Sequence, residues 1–299
     1  RGSHIMLPRR PGHPASGLYA QARSDGRPFF LIPWGESLWV GTTDIYHDQP
    51  NHWWATEEEI EYLLDEANTL LPEANYTHED IILTRAGIRP LVRAEAKRGS
   101  KEGAVSRAHK VVGPRDSGGQ QGLLLVLGGK LTTHRSLAEM TVDKACRMLR
   151  HKKEKVSRGR APVQPPLDAQ TNPKGIQPED FARLLRVYGP YARPIIERVE
   201  FEPEMGERLI PELPVIKAEV LHTVSDEWAA SLDDIFARRT MLTTEDLPWH
   251  RFTKDLAEAT GRLLGWSDEE CDEQHSYWMQ DIKRHDRFTA AKIAGLNAP

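Results

Sequence analysis

The pattern of apolar and polar positions is strand-like over the first third of the chain and helical towards its end. Between residues 28 and 43 two short runs rich in aromatic and β-branched residues flank Trp34-Gly35-Glu36-Ser37, which predicts a hairpin. Thr56-Glu57-Glu58-Glu59 then has the form of a capping box. Ile60, Leu63, Leu64, Ala67 and Leu71 recur behind it at helical spacing, and Leu71-Pro72 ends the run. Residues 80–84 and 105–112 read as strands, separated by a charged, glycine-containing loop over 93–104. Few helices stand between these strands, which favours a largely antiparallel sheet for residues 1–115. Gly122 to Leu127 reads as a buried strand. It is followed by a tight glycine turn and by an amphipathic helix carrying Leu137, Met140, Ala145 and Leu149.

Residues 151–178 open with a basic run and continue through Pro162, Pro165, Pro166, Pro173 and Pro178 with little apolar periodicity, as a linker does. Beyond it Phe181, Leu184, Leu185 and Val187, then Leu221, Val224, Trp228, Leu232, Ile235 and Phe236, predict a small helical bundle ending near Arg287, with a tail prone to fray. The expected fold is α+β. Residues 1–150 form a mostly antiparallel β region that ends in a strand, a glycine turn and a helix. Residues 151–178 are a linker, 179–287 an all-α domain, and 288–299 a tail.

Composition narrows the function by exclusion. The 299 residues carry 44 acidic against 40 basic side chains and a formal charge of -4, so there is no broad positive field for nucleic acid. Cys146 and Cys271 stand far apart and indicate neither a disulfide framework nor a thiolate metal site, which suits a reduced, cytoplasmic compartment. The longest aliphatic run, Leu123 to Leu127, is far short of the roughly 18 residues of a membrane span. Any membrane association is therefore expected to be peripheral. The twelve histidines include no H-E-x-x-H or similar spacing, and no metal site is expected.

Candidate chemistry gathers at a few points. Gly128-Gly129-Lys130-Leu131-Thr132-Thr133 stands where a strand turns into a helix. It reads either as a backbone-lined anion or cofactor turn or as a plain glycine turn with Thr132 or Thr133 capping the helix. A nucleotide-triphosphate loop is excluded, because Leu131 stands where Ser or Thr must follow the lysine. Arg89, held before Pro90, and Arg107 suit bidentate recognition of an anion, or are solvated charges. Gly41-Thr42-Thr43-Asp44 is a catalytic turn or ordinary turn chemistry. The opening, Arg1-Gly2-Ser3-His4-Ile5-Met6, is similar to a common cloning remnant.

Taken in order, Gly41 to Asp44, Gly87-Ile88-Arg89-Pro90-Leu91, Ser106-Arg107, Gly128 to Thr133, Ala218-Glu219-Val220 with Glu227, and Leu232 to Thr240 resemble the FAD-dependent glycerol-3-phosphate dehydrogenases over about residues 2–285. The same family carries a Gly-Ser-His-Ile segment followed by Pro-Arg, matched by Gly2 to Ile5 and Pro8-Arg9, so the opening reads as native. The resemblance implies oxidation of glycerol 3-phosphate to dihydroxyacetone phosphate by hydride transfer to FAD, with electrons passed to a quinone or another acceptor. It implies His4 as general base and Arg89 as the group that orients the substrate. Arg107 and Lys130 would bind phosphate, and Gly128, Gly129, Lys130, Leu131, Thr132 and Thr133 would lie against the flavin. It is compatible with a homodimer and with a peripheral place on the inner face of the cell membrane. No G-x-G-x-x-G turn occurs in these residues, so the chain is expected to be the C-terminal portion of such an enzyme, inactive without the flavin-binding segment. His134 stands where the family usually has tyrosine. The alternatives are a related flavin oxidase that uses oxygen or an amino acid, and a non-catalytic helical interaction module.

Overall fold

The computed structural model describes residues 1–49, 51, 54–89, 108–114, 120–151 and 171–296. They fall into two compact units. The larger comprises Gly2–Thr43, Asn51–Gly87 and Pro165–Pro299; the smaller comprises Arg1, Asp44–Pro50 and Ile88–Gln164.

The larger unit is built on a five-stranded antiparallel sheet. Its strands are β1 (Gly2–Pro8), β2 (Leu18–Gln21), β3 (Pro28–Trp34), β4 (Ser37–Gly41) and β5 (Leu83–Gly87), in the order β2-β3-β4-β1-β5. The expected hairpin is β3–β4. The opening segment, far from a dangling remnant, is an interior strand with Ser3, Ile5, Met6 and Leu7 all 0% exposed. Alternation assigns the faces. Ile5, Leu7, Phe29, Leu31, Leu38 and Val40 pack against Ile60, Leu63, Leu64 and Ala67 of the helix Glu57–Leu70. That helix begins as its sequence predicts, with the Thr56 amide donating to Glu59 Oε2 at 3.1 Å.

Helical segments of the C-terminal half complete the larger unit. They are Pro178–Tyr188, Arg193–Phe201, Lys217–Ser225, a π-helical turn at Asp234–Arg239, Thr253–Leu264, Asp268–His285 and Arg287–Leu296. Phe236, Trp249, Leu256 and Trp278 form their main core. They also bond to the sheet: Ser37 Oγ donates to Thr244 O at 3.2 Å, Thr84 N and Oγ1 both donate to Asp286 Oδ1 at 3.3 Å, and Lys292 Nζ donates to Ile81 O at 2.9 Å. In the smaller unit β6 (Lys110–Val112) pairs antiparallel with β7 (Leu125–Leu127). Beyond β7 lies the helix His134–Met148, whose Lys144 Nζ donates to Val111 O at 2.8 Å. The architecture is α+β, with an antiparallel sheet and a helical C-terminal region.

Four local expectations are corrected. The strand read from Asp80 starts only at Leu83, because Asp80 Oδ2 accepts from Thr77 N and Oγ1 at 2.8 and 3.2 Å and closes a helical turn first. The strand read as buried over Gly122 to Leu127 is three residues long, and Leu125 and Val126 are 45% and 46% exposed; among the described residues it pairs with β6 alone. Trp228 does not continue a helix. It follows the end at Ser225 with a left-handed φ of 62° and lies on the surface. The tail expected to fray is helical to Leu296, because Thr289 and Ile293 bury into the unit. Residues 105–107 and 152–170, within the expected strand and linker, lie outside the described residues.

Candidate active site

The alternation of β1 that turns Ser3, Ile5 and Leu7 towards the helix turns His4 to the opposite face. There it lies in register with Gly41 on β4 and Arg85 on β5. The imidazole occupies space that only a glycine leaves: a Cβ at position 41 would come within 2.3 Å of His4 Cδ2. Trp39 meets the ring edge-on, with centroids 5.7 Å apart at 72°, and itself packs against Trp34 at 5.6 Å. His4 is thus a partly exposed imidazole at the edge of an aromatic wall. Arg85, which sequence reasoning passed over as a strand residue, is its register partner on β5. Directly opposed residues on one sheet face have adjacent side chains, and Arg85 Nη2 also donates to Thr243 Oγ1 at 3.4 Å.

Beneath His4 lies a buried polar knot. Ser3 N donates to Thr43 Oγ1 at 2.8 Å, and Glu59 Oε1 accepts from Ser3 Oγ at 2.8 Å and from Thr43 Oγ1 at 2.6 Å. Thr43 of the Gly-Thr-Thr-Asp turn is therefore part of the structural support. In the smaller unit, Asp44 accepts from Arg89 Nη1 at 2.7 Å, with the two side chains 14% and 22% exposed. Arg89 is an oriented guanidinium, not a loose surface charge. Arg107 lies outside the described residues.

The glycine turn of the smaller unit needs its glycines, since φ is 66° at Gly128 and 109° at Gly129. Lys130 and Thr132 are exposed and Leu131 is 88% exposed at the tip. The expected threonine cap is not made. Thr133 occupies the cap position, but its hydroxyl donates backwards to Lys130 O at 3.0 Å and makes no cap hydrogen bond to the helix that follows. His134 Nδ1–H donates to Leu131 O at 2.8 Å, so its ring serves the turn itself.

The helical motifs are structural. Glu219, 0% exposed, is held by Arg183 and by Tyr188 Oη, which donates at 2.9 Å. Burial and then the Glu219 carboxylate push the Tyr188 phenol far up. Spacing also gave no hint of the surface cluster in which His78 Nε2 lies 3.0 Å from Glu57 Oε1 and 3.2 Å from Glu61 Oε1.

Two family descriptions match this chain, FAD dependent oxidoreductase over residues 1–143 and the C-terminal domain of alpha-glycerophosphate oxidase over residues 124–271. A glycerol-3-phosphate dehydrogenase of Synechocystis is 35% identical over 296 residues, covering 94% of this chain and 53% of that one. The chain belongs to the FAD-dependent glycerol-3-phosphate dehydrogenase family. Another relative is the mitochondrial glycerol-3-phosphate dehydrogenase of Rattus norvegicus, 33% identical, covering 89% of this chain and 37% of that one. The crystal structure of the glycerol-3-phosphate dehydrogenase from Bacillus halodurans complexed with FAD shares the fold, with a TM-score of 0.71 at 21% identity over 95% of this chain and 56% of that one. The chain thus spans about half the length of the Synechocystis relative and less of the mitochondrial one. Among the described residues no helix is long and apolar enough to cross a membrane.

Proposed function

We propose that this chain forms the substrate side of an FAD-dependent enzyme that oxidises sn-glycerol 3-phosphate to dihydroxyacetone phosphate. The observation that carries the reading is His4. It sits on an interior strand of a family fold, opposite a glycine that its ring requires and against an aromatic wall. In this reading FAD, when bound, supplies the hydride acceptor. His4 takes the proton of the substrate hydroxyl, and Arg89, aimed by Asp44, orients the substrate. Lys130 and Arg107 hold its phosphate by charge and hydrogen bonds. Residues Gly128 to Thr133 hold the flavin: glycines admit close approach, and the start of the helix that follows favours negative charge there.

In the same reading residues 1–150 carry the substrate region with part of the flavin-side fold, 151–178 connect, and 179–287 form the helical domain, with 288–299 closing the chain. Leu123, Leu125, Val126, Leu131, Val142 and Leu149 are exposed apolar side chains of the smaller unit, as suits a strand and helix that pack on further protein. Electrons then pass to a quinone or another acceptor. The enzyme works in the cytoplasm or peripherally on the inner face of the cell membrane, and a homodimer is compatible.

The test combines the chain with the flavin-binding half of the Synechocystis relative and FAD, and measures dihydroxyacetone phosphate formed with an artificial electron-accepting dye. Product from glycerol 3-phosphate and none from glycerol supports the reading. No product, when the intact relative turns over under the same conditions, contradicts it.

A further inference from the structure

Glu59 does more than cap its helix. Its side chain is 1% exposed, where a carboxylate needs hydrogen bonds to remain buried. Oε2 faces the helix start, accepting from Thr56 N at 3.1 Å and Thr56 Oγ1 at 3.3 Å. Oε1 faces the other way and collects the hydroxyls of Ser3 and Thr43, at 2.8 and 2.6 Å. Each of those hydroxyls belongs to the neighbour of a candidate site residue. Ser3 precedes His4, and Thr43 precedes Asp44, the carboxylate that orients Arg89. The loop is closed by Ser3 N donating to Thr43 Oγ1 at 2.8 Å and Thr43 N donating to Ser3 O at 3.2 Å. Thr43 Oγ1 accepts from the Ser3 amide, so its own proton goes to Glu59. Each hydroxyl orientation is thereby fixed.

We propose that Glu59 is a positioning residue for His4, its single carboxylate setting the depth and register of the strand that carries the imidazole. The proposal rests on the functional reading above for its meaning, but its geometry can be tested separately. Side chains alternate along β1, so a shift of Ser3 towards or away from the helix moves His4 with it. The ring has little tolerance for that movement, with Gly41 opposite and Trp39 at its edge. A small misplacement of a catalytic group is enough to cost a large factor in rate.

Glu66, two turns further along the same helix, provides the control. It is 4% exposed and accepts from Arg23 N, Ser24 N and Ser24 Oγ at 2.8, 3.0 and 2.7 Å, an equally buried knot that touches no candidate site residue. The experiment uses the full chain with isotope-labelled histidine, the His4 imidazole resonance being identified by its loss in His4→Asn. Glu59→Gln is expected to shift or split that resonance and to change its pH titration, while Glu66→Gln leaves both as in the parent. A His4 resonance and titration unchanged in Glu59→Gln overturns the proposal. Should Glu59→Gln fail to fold, Thr43→Val removes one hydroxyl at nearly constant volume and is held to the same criterion. In the reconstituted enzyme, Glu59→Gln is expected to lower kcat on the order of 10–100-fold with little change in KM, and Glu66→Gln to change neither. Loss of the glycerol 3-phosphate reading would remove this kinetic arm and leave the resonance arm decisive.

Discussion

At the scale of single residues, the site depends on what is missing as much as on what is present. Gly41 is one of the family motif's turn residues, yet its conformation is not what demands glycine. The demand comes from the His4 ring across the strand pair, 2.3 Å from where a Cβ would stand. Gly41→Ala is therefore expected to push the imidazole out of its place, with an overpacking cost of about 1–3 kcal/mol in urea unfolding and a loss of activity in the reconstituted enzyme. Retained stability and activity would show that the ring has another place to go. His4 was legible in the sequence only through its resemblance to a family, because Gly-Ser-His by itself carries no period or charge pattern. Arg85 was not legible at all. Its importance comes from register with His4, and register is set by strand pairing between residues 81 apart in the chain.

The elements were read best where local chemistry decides them. The helix after Thr56 follows from its capping box and its apolar spacing, and the β3–β4 hairpin from its two apolar runs around Gly35. Sequence reading failed where a tertiary contact overrides the local pattern. β1 was not predicted, since only the sheet makes Gly2–Pro8 a strand. The helix Arg287–Leu296 was expected to fray because its residues are small and polar. It is kept in place by Ile293, 8% exposed in the helical core, by Thr289 Oγ1 donating to Asp286 Oδ2 at 2.5 Å, and by Lys292 on Ile81 O. Ile293→Ala is accordingly expected to destabilise the chain by about 2–4 kcal/mol, measured by urea denaturation; a change within experimental error would mean that the segment frays after all.

Across the whole molecule, the stability should depend on pH through histidines kept neutral by burial. His13, His250 and His275 all titrate below the ordinary value of 6.5, first because burial disfavours the cation and then through nearby positive charge: Arg9 and Arg10 at His13, Lys292 and Arg251 at His250, Lys254 at His275. The unfolded chain takes up those protons first as pH falls, so their contribution is complete above 6.5 and is lost below it. Asp233 and Asp286, raised by burial, act with the opposite sign, because the folded form keeps protons that the unfolded form releases. The urea midpoint is expected to fall between pH 7.5 and 5.5, and the double variant His250→Gln/His275→Gln to lose part of that fall, His13 and His285, also lowered by burial, keeping the rest. An identical slope in parent and variant would contradict the assignment.

The same scale decides the central claim, that His4 and Arg89 each take part in the flavin-linked oxidation proposed above. The most direct measurement is the visible spectrum of FAD bound to this chain together with the flavin-binding half of its Synechocystis relative, recorded anaerobically before and after glycerol 3-phosphate. Bleaching of the flavin bands that is lost in His4→Asn and strongly slowed in Arg89→Met, with FAD still bound in both, is the predicted result. Bleaching at the parental rate in both variants would contradict the account and remove these two residues from the chemistry.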